Sequence, residues 1–232
     1  MPPNITFLSS PSPCEYLPRR MSQLRYEVDS EIQPADYMER LRAGWRRFGP
    51  ILFQPECGEC RECRSLRVLV ANFRPTESQR RAWKRNAGAV TLTIDAPSIT
   101  PEKQQIFSDF HQHGHETKGW PVDGGRSLGV FVVNPFTTEE WNYHVGDRLV
   151  GVGYVDALPE ALSAIYFYWD PSEQQRSLGT FNILQMIQIA KQRKLAHVYL
   201  GYYVDQCRSL EYKARFRPNE ILIERQWEAF TK

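Results

Sequence analysis

The sequence predicts an α/β chain of the α+β kind: a mixed sheet flanked by helices, with a basic, cysteine-bearing region ahead of it. Three observations carry this. Residues 142–156 read as a hairpin, with Asn142 to Val145 and Arg148 to Asp156 joined by the turn pair Gly146-Asp147. Residues 162–203 read as strand, polar loop, Gly-bearing helix start and strand. Cys57, Cys60 and Cys63 stand at two-residue gaps, with a cationic run soon after them.

A length of 232 residues suffices for one large domain or two small ones. The net charge is only +2, yet residues 1–90 carry 15 Lys/Arg against 10 Asp/Glu and residues 91–232 carry 14 against 17. The expected division is therefore a basic Cys-bearing region over 1–90, facing a polyanion, and a catalytic region over 91–232. Met1 to Ser10 lacks the cationic and apolar segments of a secretory signal, and no apolar run approaches a membrane span. Five cysteines, three of them clustered, argue against a disulfide framework and for the reducing cytoplasm.

In chain order, residues 1–13 are rich in Pro and Ser and read as a loose arm. Pro34 to Gly44 reads as a helix, with Pro34 at its start, Tyr37, Met38 and Leu41 on one face and Gly44 at its stop. Arg46 and Arg47 lie between Trp45 and Phe48, where they can clamp phosphate or lie across the surface with packed stems. Ile51 to Phe53 is a strand. The C-x-x-C-x-x-C run offers three metal ligands, Cys57, Cys60 and Cys63; a fourth would come from Cys14 or Cys207. Leu66 to Val70 is a strand. Ser78 to Asn86 is a helix, with Thr76 and Gln79 matching a capping box. Arg80, Arg81, Lys84 and Arg85 form one broad cationic face on it, and Trp83 among them can stack on a base.

Val90 to Ile94 alternates as a strand does, and Pro101 to Gln112 is a helix buried through Ile106, Phe107 and Phe110. His111, His113 and His115 fall in what reads as a polar loop. Trp120 to Arg126, with Gly124-Gly125, reads as a loop or lid, and Leu128 to Val133 as a strand ending at Pro135. After the hairpin comes Leu162 to Trp169, a strand carrying Tyr166-Phe167-Tyr168-Trp169. Leu178 to Lys194 is a long helix with Phe181, Leu184, Met186, Ile187 and Ile189 on its core side, and His197 to Tyr203 is the next strand.

This succession resembles an acyltransferase arrangement, the acetyltransferase-like (GNAT-type) fold. Free amides at the helix start can hold a phosphate or an oxyanion there. Arg176-Ser177-Leu178-Gly179 supplies R-x-x-G, but Phe181 stands where a coenzyme A loop has a second small residue. That favours an acyl donor of another shape, and the basic aromatic first half suggests RNA.

The chain resembles the aminoacyl-tRNA–protein transferases: the arginyl-transferases of eukaryotes and the shorter bacterial leucyl-transferases. The resemblance runs from about Cys14 to Pro218. It rests on C-E-Y-L-P at Cys14, G-W-R-R-F-G at Gly44, the Cys57 knuckle and S-Q-R-R-A-W-K-R-N at Ser78. L-V-G-V-G-Y-V-D-A-L-P at Leu149, A-I-Y-F-Y-W-D-P at Ala164, S-L-G-T-F at Ser177 and C-R-S-L-E-Y-K at Cys207 complete it. It implies transfer of an amino acid from charged tRNA to proteins with an N-terminal Asp or Glu, marking them for degradation through the N-degron pathway. The length looks like the leucyl branch; Trp45 resembles the arginyl form, and Phe48 departs from the usual Ser. By resemblance, Cys14, Cys57, Cys60 and Cys63 match positions associated with an iron–sulfur cluster in eukaryotic relatives; zinc is the other candidate. No cofactor is required for the transfer itself.

For such a reaction, Asp156 or Asp170 is expected to accept a hydrogen bond from the attacking amine, and Tyr166 and Tyr168 to orient the acyl end. Arg176, Lys213 and Arg217, with Arg80 as an outside choice, are candidates for the substrate's acidic side chain; Ser177 and Gly179 lie at the helix start. Arg46, Arg47, Arg80, Arg81, Lys84 and Arg85 would hold tRNA. A leucyl pocket should be apolar, whereas an arginyl pocket needs a buried carboxylate. Two other readings compete: an acetyl-CoA-dependent N-acetyltransferase and a non-enzymatic, metal-stabilised RNA-binding protein.

Overall fold

In the computed structural model the described residues are 5–120, 128–132 and 135–231. The first half runs β1 (Ile5–Leu8), β2 (Ser12–Pro13), β3 (Met21–Ser22), β4 (Leu24–Val28), α1 (Pro34–Arg42), β5 (Arg46–Phe48), β6 (Ile51–Pro55), β7 (Arg64–Leu69) and α2 (Glu77–Asn86). The second runs β8 (Thr91–Asp95), α3 (Pro101–Lys118), α4 (Gly129–Val132), β9 (Thr138–Val145), β10 (Arg148–Ala157), β11 (Ala161–Trp169), a 3₁₀ segment Pro171–Arg176, α5 (Leu178–Gln192), β12 (His197–Tyr203), α6 (Arg208–Glu211), a 3₁₀ segment Tyr212–Arg215, β13 (Asn219–Ile223) and β14 (Gln226–Ala229).

Eight strands form one mixed sheet in the order β14-β13-β7-β12-β11-β10-β9-β8. The hairpin is as expected: β9 pairs with β10 around Gly146, whose φ of 58° suits the turn residue. One neighbouring pair, β11 and β12, is parallel, and its register covers only Ala161↔His197, Leu162↔Val198 and Ser163↔Tyr199. Beyond that level β11 stays with β10 as far as Trp169↔Gly151, while β12 stays with β7 as far as Tyr203↔Arg64. Each strand carries one extra residue at the point of parting: Ile165 on β11 and Leu200 on β12 have no partner in the antiparallel registers. Such bulges bend a strand and add twist, so the two strands splay into a V.

Helices cover both faces. On one, α5 and α2 bury Phe181, Leu184, Met186 and Ile187 against sheet residues that include Val68, Tyr143 and Leu162. On the other, α3 packs Ile106, Phe107 and Phe110 against Leu149, Val152, Tyr154 and Tyr168. A second sheet, in the order β1-β4-β6-β5, joins α1 in a third core where Tyr37, Met38, Leu41 and Leu52 meet Ala161 and Tyr199 of the large sheet.

Four expectations change. The arm is partly ordered, since β1 pairs with β4 over Ile5↔Val28 to Leu8↔Arg25. The helix over the histidines is longer than expected, because α3 continues to Lys118 before Gly119 caps it with φ 70°. A Cβ at Gly114 would lie 2.1 Å from the Trp120 ring, so glycine there admits the tryptophan rather than breaking the helix. The strand expected over 128–133 is a helical turn through residue 132: Leu128 and Phe131, three apart, are both buried, and Phe131 stacks on Tyr154 and Tyr166 at 4.9 Å. Residue 133 and the expected lid from 121 to 126 lie outside the described residues. Finally, residue 90 does not separate two cores, because β7 is an interior strand of the large sheet and α2 packs on α5. Among the described residues no helix is long and apolar enough to cross a membrane.

Candidate active site

The V between β11 and β12 opens a cleft of about 430 Å³. Both bulged residues, Ile165 and Leu200, line it, as do Ala164, Tyr166 and Phe167. Its floor is the start of α5. Ser177 there has φ 56°, in the left-handed region, and its carbonyl accepts from the Phe181 amide. The amides of Leu178, Gly179 and Thr180 precede the first intrahelical bond and have no acceptor within the helix. A Cβ added at Gly179 would meet nothing within 4 Å, so the helix start faces open space. Ser177 and Gly179 both line the cleft. Phe181 is fully buried against Trp83 and Tyr143, which explains why a small residue does not stand there.

Of the two expected tyrosines, Tyr166 lines the cleft and Tyr168 does not. The Tyr166 hydroxyl shares a 2.8 Å hydrogen bond with Nε2 of His111 on α3. Tyr168 is fully buried in the α3-side core, and that burial raises its pKa. His111 is a cleft neighbour that sequence alone does not mark, because its contact with Tyr166 is 55 positions away in the chain; in α3, His111 and His115 share one side of the helix at i, i+4.

Neither expected aspartate is free for an amine. Asp156 is fully buried and takes Nε of Arg47 at 2.6 Å, the Tyr37 hydroxyl at 2.9 Å and the Thr138 hydroxyl at 2.9 Å, besides Nη2 of Arg47. Arg47 is likewise buried, so it is no tRNA contact. The reason lies in β5: adjacent strand residues point to opposite sides, one arginine reaching Asp156 and the other, Arg46, reaching the carbonyl of Ala164 at 2.8 Å. Arg46 is only 6% exposed and is also excluded from an RNA surface. Asp170 caps the following 3₁₀ segment through the Ser172 amide and pairs with Arg148. Burial works to raise its pKa, but the Ser172 bonds and Arg148 outweigh that and lower it.

Of the cations expected to read the acidic side chain, Lys213 lines the cleft. Its Nζ donates to the Tyr202 carbonyl at 2.9 Å. Burial, with Arg46 close by, lowers its pKa to about 7. Arg176 is tied to Glu173, and exposed Arg217 donates to the Ala214 carbonyl at 3.2 Å; neither lines the cleft.

The cationic face of α2 is as expected. Arg80, Arg81, Lys84 and Arg85 are exposed, while Gln79, Ala82 and Asn86 are buried. Arg80 accordingly points outward and does not line the cleft. Trp83 is not available for stacking on a base, because it packs on Phe181 with ring centroids 5.5 Å apart. The helix is tied to the segment just before α5: Asn86 bonds the Arg176 carbonyl at 2.8 Å and Arg85 bonds that of Gln175. Arg85 and Arg176 line a shallow depression there with Glu173 and Gln175.

Cys14, Cys57, Cys60 and Cys63 line a separate cavity of about 270 Å³, beside Tyr16 and Tyr202. Burial, then the neighbouring thiols, pushes the Cys63 thiol up to about 12. Among the described residues no three His, Cys, Asp or Glu donors converge so as to hold an ion.

Two solved structures share the fold. The C-terminal domain of a putative lysylphosphatidylglycerol synthetase from Agrobacterium fabrum matches with a TM-score of 0.52 at 15% identity, over 86% of this chain and 64% of that one. FemX matches with a TM-score of 0.52 at 6% identity, over 84% and 68%. The mixed sheet flanked by helices is thus of the acetyltransferase-like type. In sequence, an aspartate/glutamate leucyltransferase of Pseudoalteromonas atlantica is 35% identical over 228 residues, 97% of each chain. One of Helicobacter hepaticus is 35% identical over 222 residues, 94% of this chain and 92% of that one. The family model for the N terminus of arginine-tRNA-protein transferase matches residues 12–81, and the model for its C terminus matches residues 102–223. With both halves matched in order and such relatives along nearly its whole length, the chain belongs to the arginine-tRNA-protein transferase family.

Proposed function

We propose that this protein transfers leucine from leucyl-tRNA to the α-amine of proteins beginning with Asp or Glu, in the cytoplasm, as a step that marks them for degradation. The observation that carries the reading is the open start of α5 at the base of the V, the place where an acyl oxygen gaining charge would find unpaired amides. The names of the relatives, aspartate/glutamate leucyltransferase, support the donor and the acceptor class. The cleft supports leucine over arginine. It is lined by Phe110, Trp120, Ile165, Phe167, Ile183 and Leu200, and among its described lining residues none is Asp or Glu. A guanidinium there would lack a counter-ion.

The donor is an ester and is already activated. The neutral α-amine, with a reference pKa of about 8, attacks the acyl carbon; the carbonyl pair moves onto oxygen beneath the amides of Leu178, Gly179 and Thr180. Collapse of that oxyanion forms the amide and expels the ribose hydroxyl of tRNA, which takes up a proton as the amine nitrogen loses one. Tyr166, held by His111, orients the acyl end. Positioning and oxyanion stabilisation supply the acceleration. Exposed Arg80, Arg81, Lys84 and Arg85 hold the tRNA backbone. The test combines the purified protein with leucyl-tRNA or arginyl-tRNA and peptides beginning with Asp, Glu or Ala. Leucine should pass to the Asp and Glu peptides only; arginine transfer would overturn the donor, and no transfer from either would overturn the reading.

A further inference from the structure

Two basic side chains beside the cleft are left without a counter-ion: Lys213 on its lining, and Arg46 packed behind Ala164. Arg46 reaches the V from β5, and its Nη2 donates to the carbonyl of Ala164, the first β11 residue beyond the parallel register. Its Nη1 is buried with no hydrogen-bond partner. Lys213 comes from the opposite side, on the 3₁₀ segment after α6. The two meet at Gly201 of β12: a Cβ there would lie 3.4 Å from Lys213 Nζ and 3.7 Å from Arg46 Nε and Nη2. Gly201 has φ 85°, a left-handed backbone conformation that favours glycine. Neither cation forms an ion pair among the described residues, although the fold pairs most of its other partly buried guanidiniums with carboxylates. A buried guanidinium with a bare nitrogen beside a desolvated ammonium is costly unless an anion completes it.

We propose that Arg46 and Lys213 together bind the side-chain carboxylate of the acceptor protein's first residue, and so set the requirement for Asp or Glu. This rests on the transfer reading above. A carboxylate suits the place. It is flat and small enough for the V, and it can accept from the Arg46 guanidinium and from the Lys213 ammonium. A tRNA phosphate would have to leave the exposed face of α2 and enter a buried wall. Lys213 lines the same cleft as the open helix start, so a carboxylate held there puts the α-amine of the same residue in the space where the acyl carbon is expected.

The experiment measures kcat/KM, with leucyl-tRNA as donor, on peptides that differ only in Asp or Asn at position one. Wild type should favour Asp by about 10- to 100-fold, the range for a hydrogen bond to a charged group. Lys213→Met and Arg46→Met should each collapse that ratio towards one through the peptide KM, leaving the KM for leucyl-tRNA unchanged; Arg46→Lys should retain part of it. Should Arg46→Met fail to fold, Lys213→Met and Arg46→Lys decide. An unchanged Asp/Asn ratio in the Lys213→Met protein, or a raised KM for tRNA instead, overturns the assignment while the transfer reading stands. Absence of transfer by wild type overturns both.

Discussion

Asp156 and Arg47 show how a pair of charged residues can look functional in sequence and be structural. Both side chains are fully buried and saturate each other, with Tyr37 and Thr138 filling the remaining positions on the carboxylate. The pair pins β5 of the smaller sheet to β10 of the larger one, 109 positions away in the chain. Removing one partner strands the other in a dry site. Asp156→Ala should therefore destabilise the fold by ~3–5 kcal/mol, read as a fall in the urea midpoint, while the folded fraction keeps its affinity for tRNA. An Asp156 variant of wild-type stability that had lost only transfer would return this carboxylate to the chemistry. The motif around Arg46 and Arg47 was legible as important. Its meaning was not, because what decides it is the burial of a three-residue strand whose partners lie elsewhere in the chain.

Elements were more readable than individual residues. The capping box of α2 is as its sequence promised: Thr76 Oγ1 accepts from the Gln79 amide at 3.3 Å, and Gln79 Oε1 accepts from the Thr76 amide at 2.8 Å. Its exposed face follows from the same 3.6-residue period. Arg80→Ala with Arg81→Ala should weaken tRNA binding whatever the amino acid attached. Each lost phosphate contact should reduce the salt slope by about 0.7–0.9, measured by titration at several salt concentrations. An unaltered slope would remove α2 from the tRNA surface. The hairpin and the β11-α5-β12 unit were legible because alternation and helical period are local signals. The bulges at Ile165 and Leu200, which create the cleft, were not, since nothing in either strand's own pattern marks an extra residue; only the registers with β10 and β7 reveal them.

At the scale of the whole molecule, the basic first half and the acyltransferase-like second half share one sheet. β7 lies between β13 and β12, with Arg67 bonded to Glu220 on one side and to Tyr199 on the other. A fragment of residues 91–232 would lose that strand and expose two interior edges, which invites aggregation. It should be recovered soluble only when residues 1–90 are co-expressed, as judged by size-exclusion chromatography. A soluble monomer of 91–232 with native circular dichroism would show instead that the second half has a sufficient core of its own.

The position of β7 also bears on how the protein is made. A ribosome delivers β7 before either neighbour exists, since Tyr199 follows Arg67 by 132 residues. Closing so long a loop is slow compared with forming a helix or a hairpin. Until β12 and β13 have emerged, the nascent chain thus carries the apolar run Leu66 to Val70 without its partner strands, and the large sheet can close only after them.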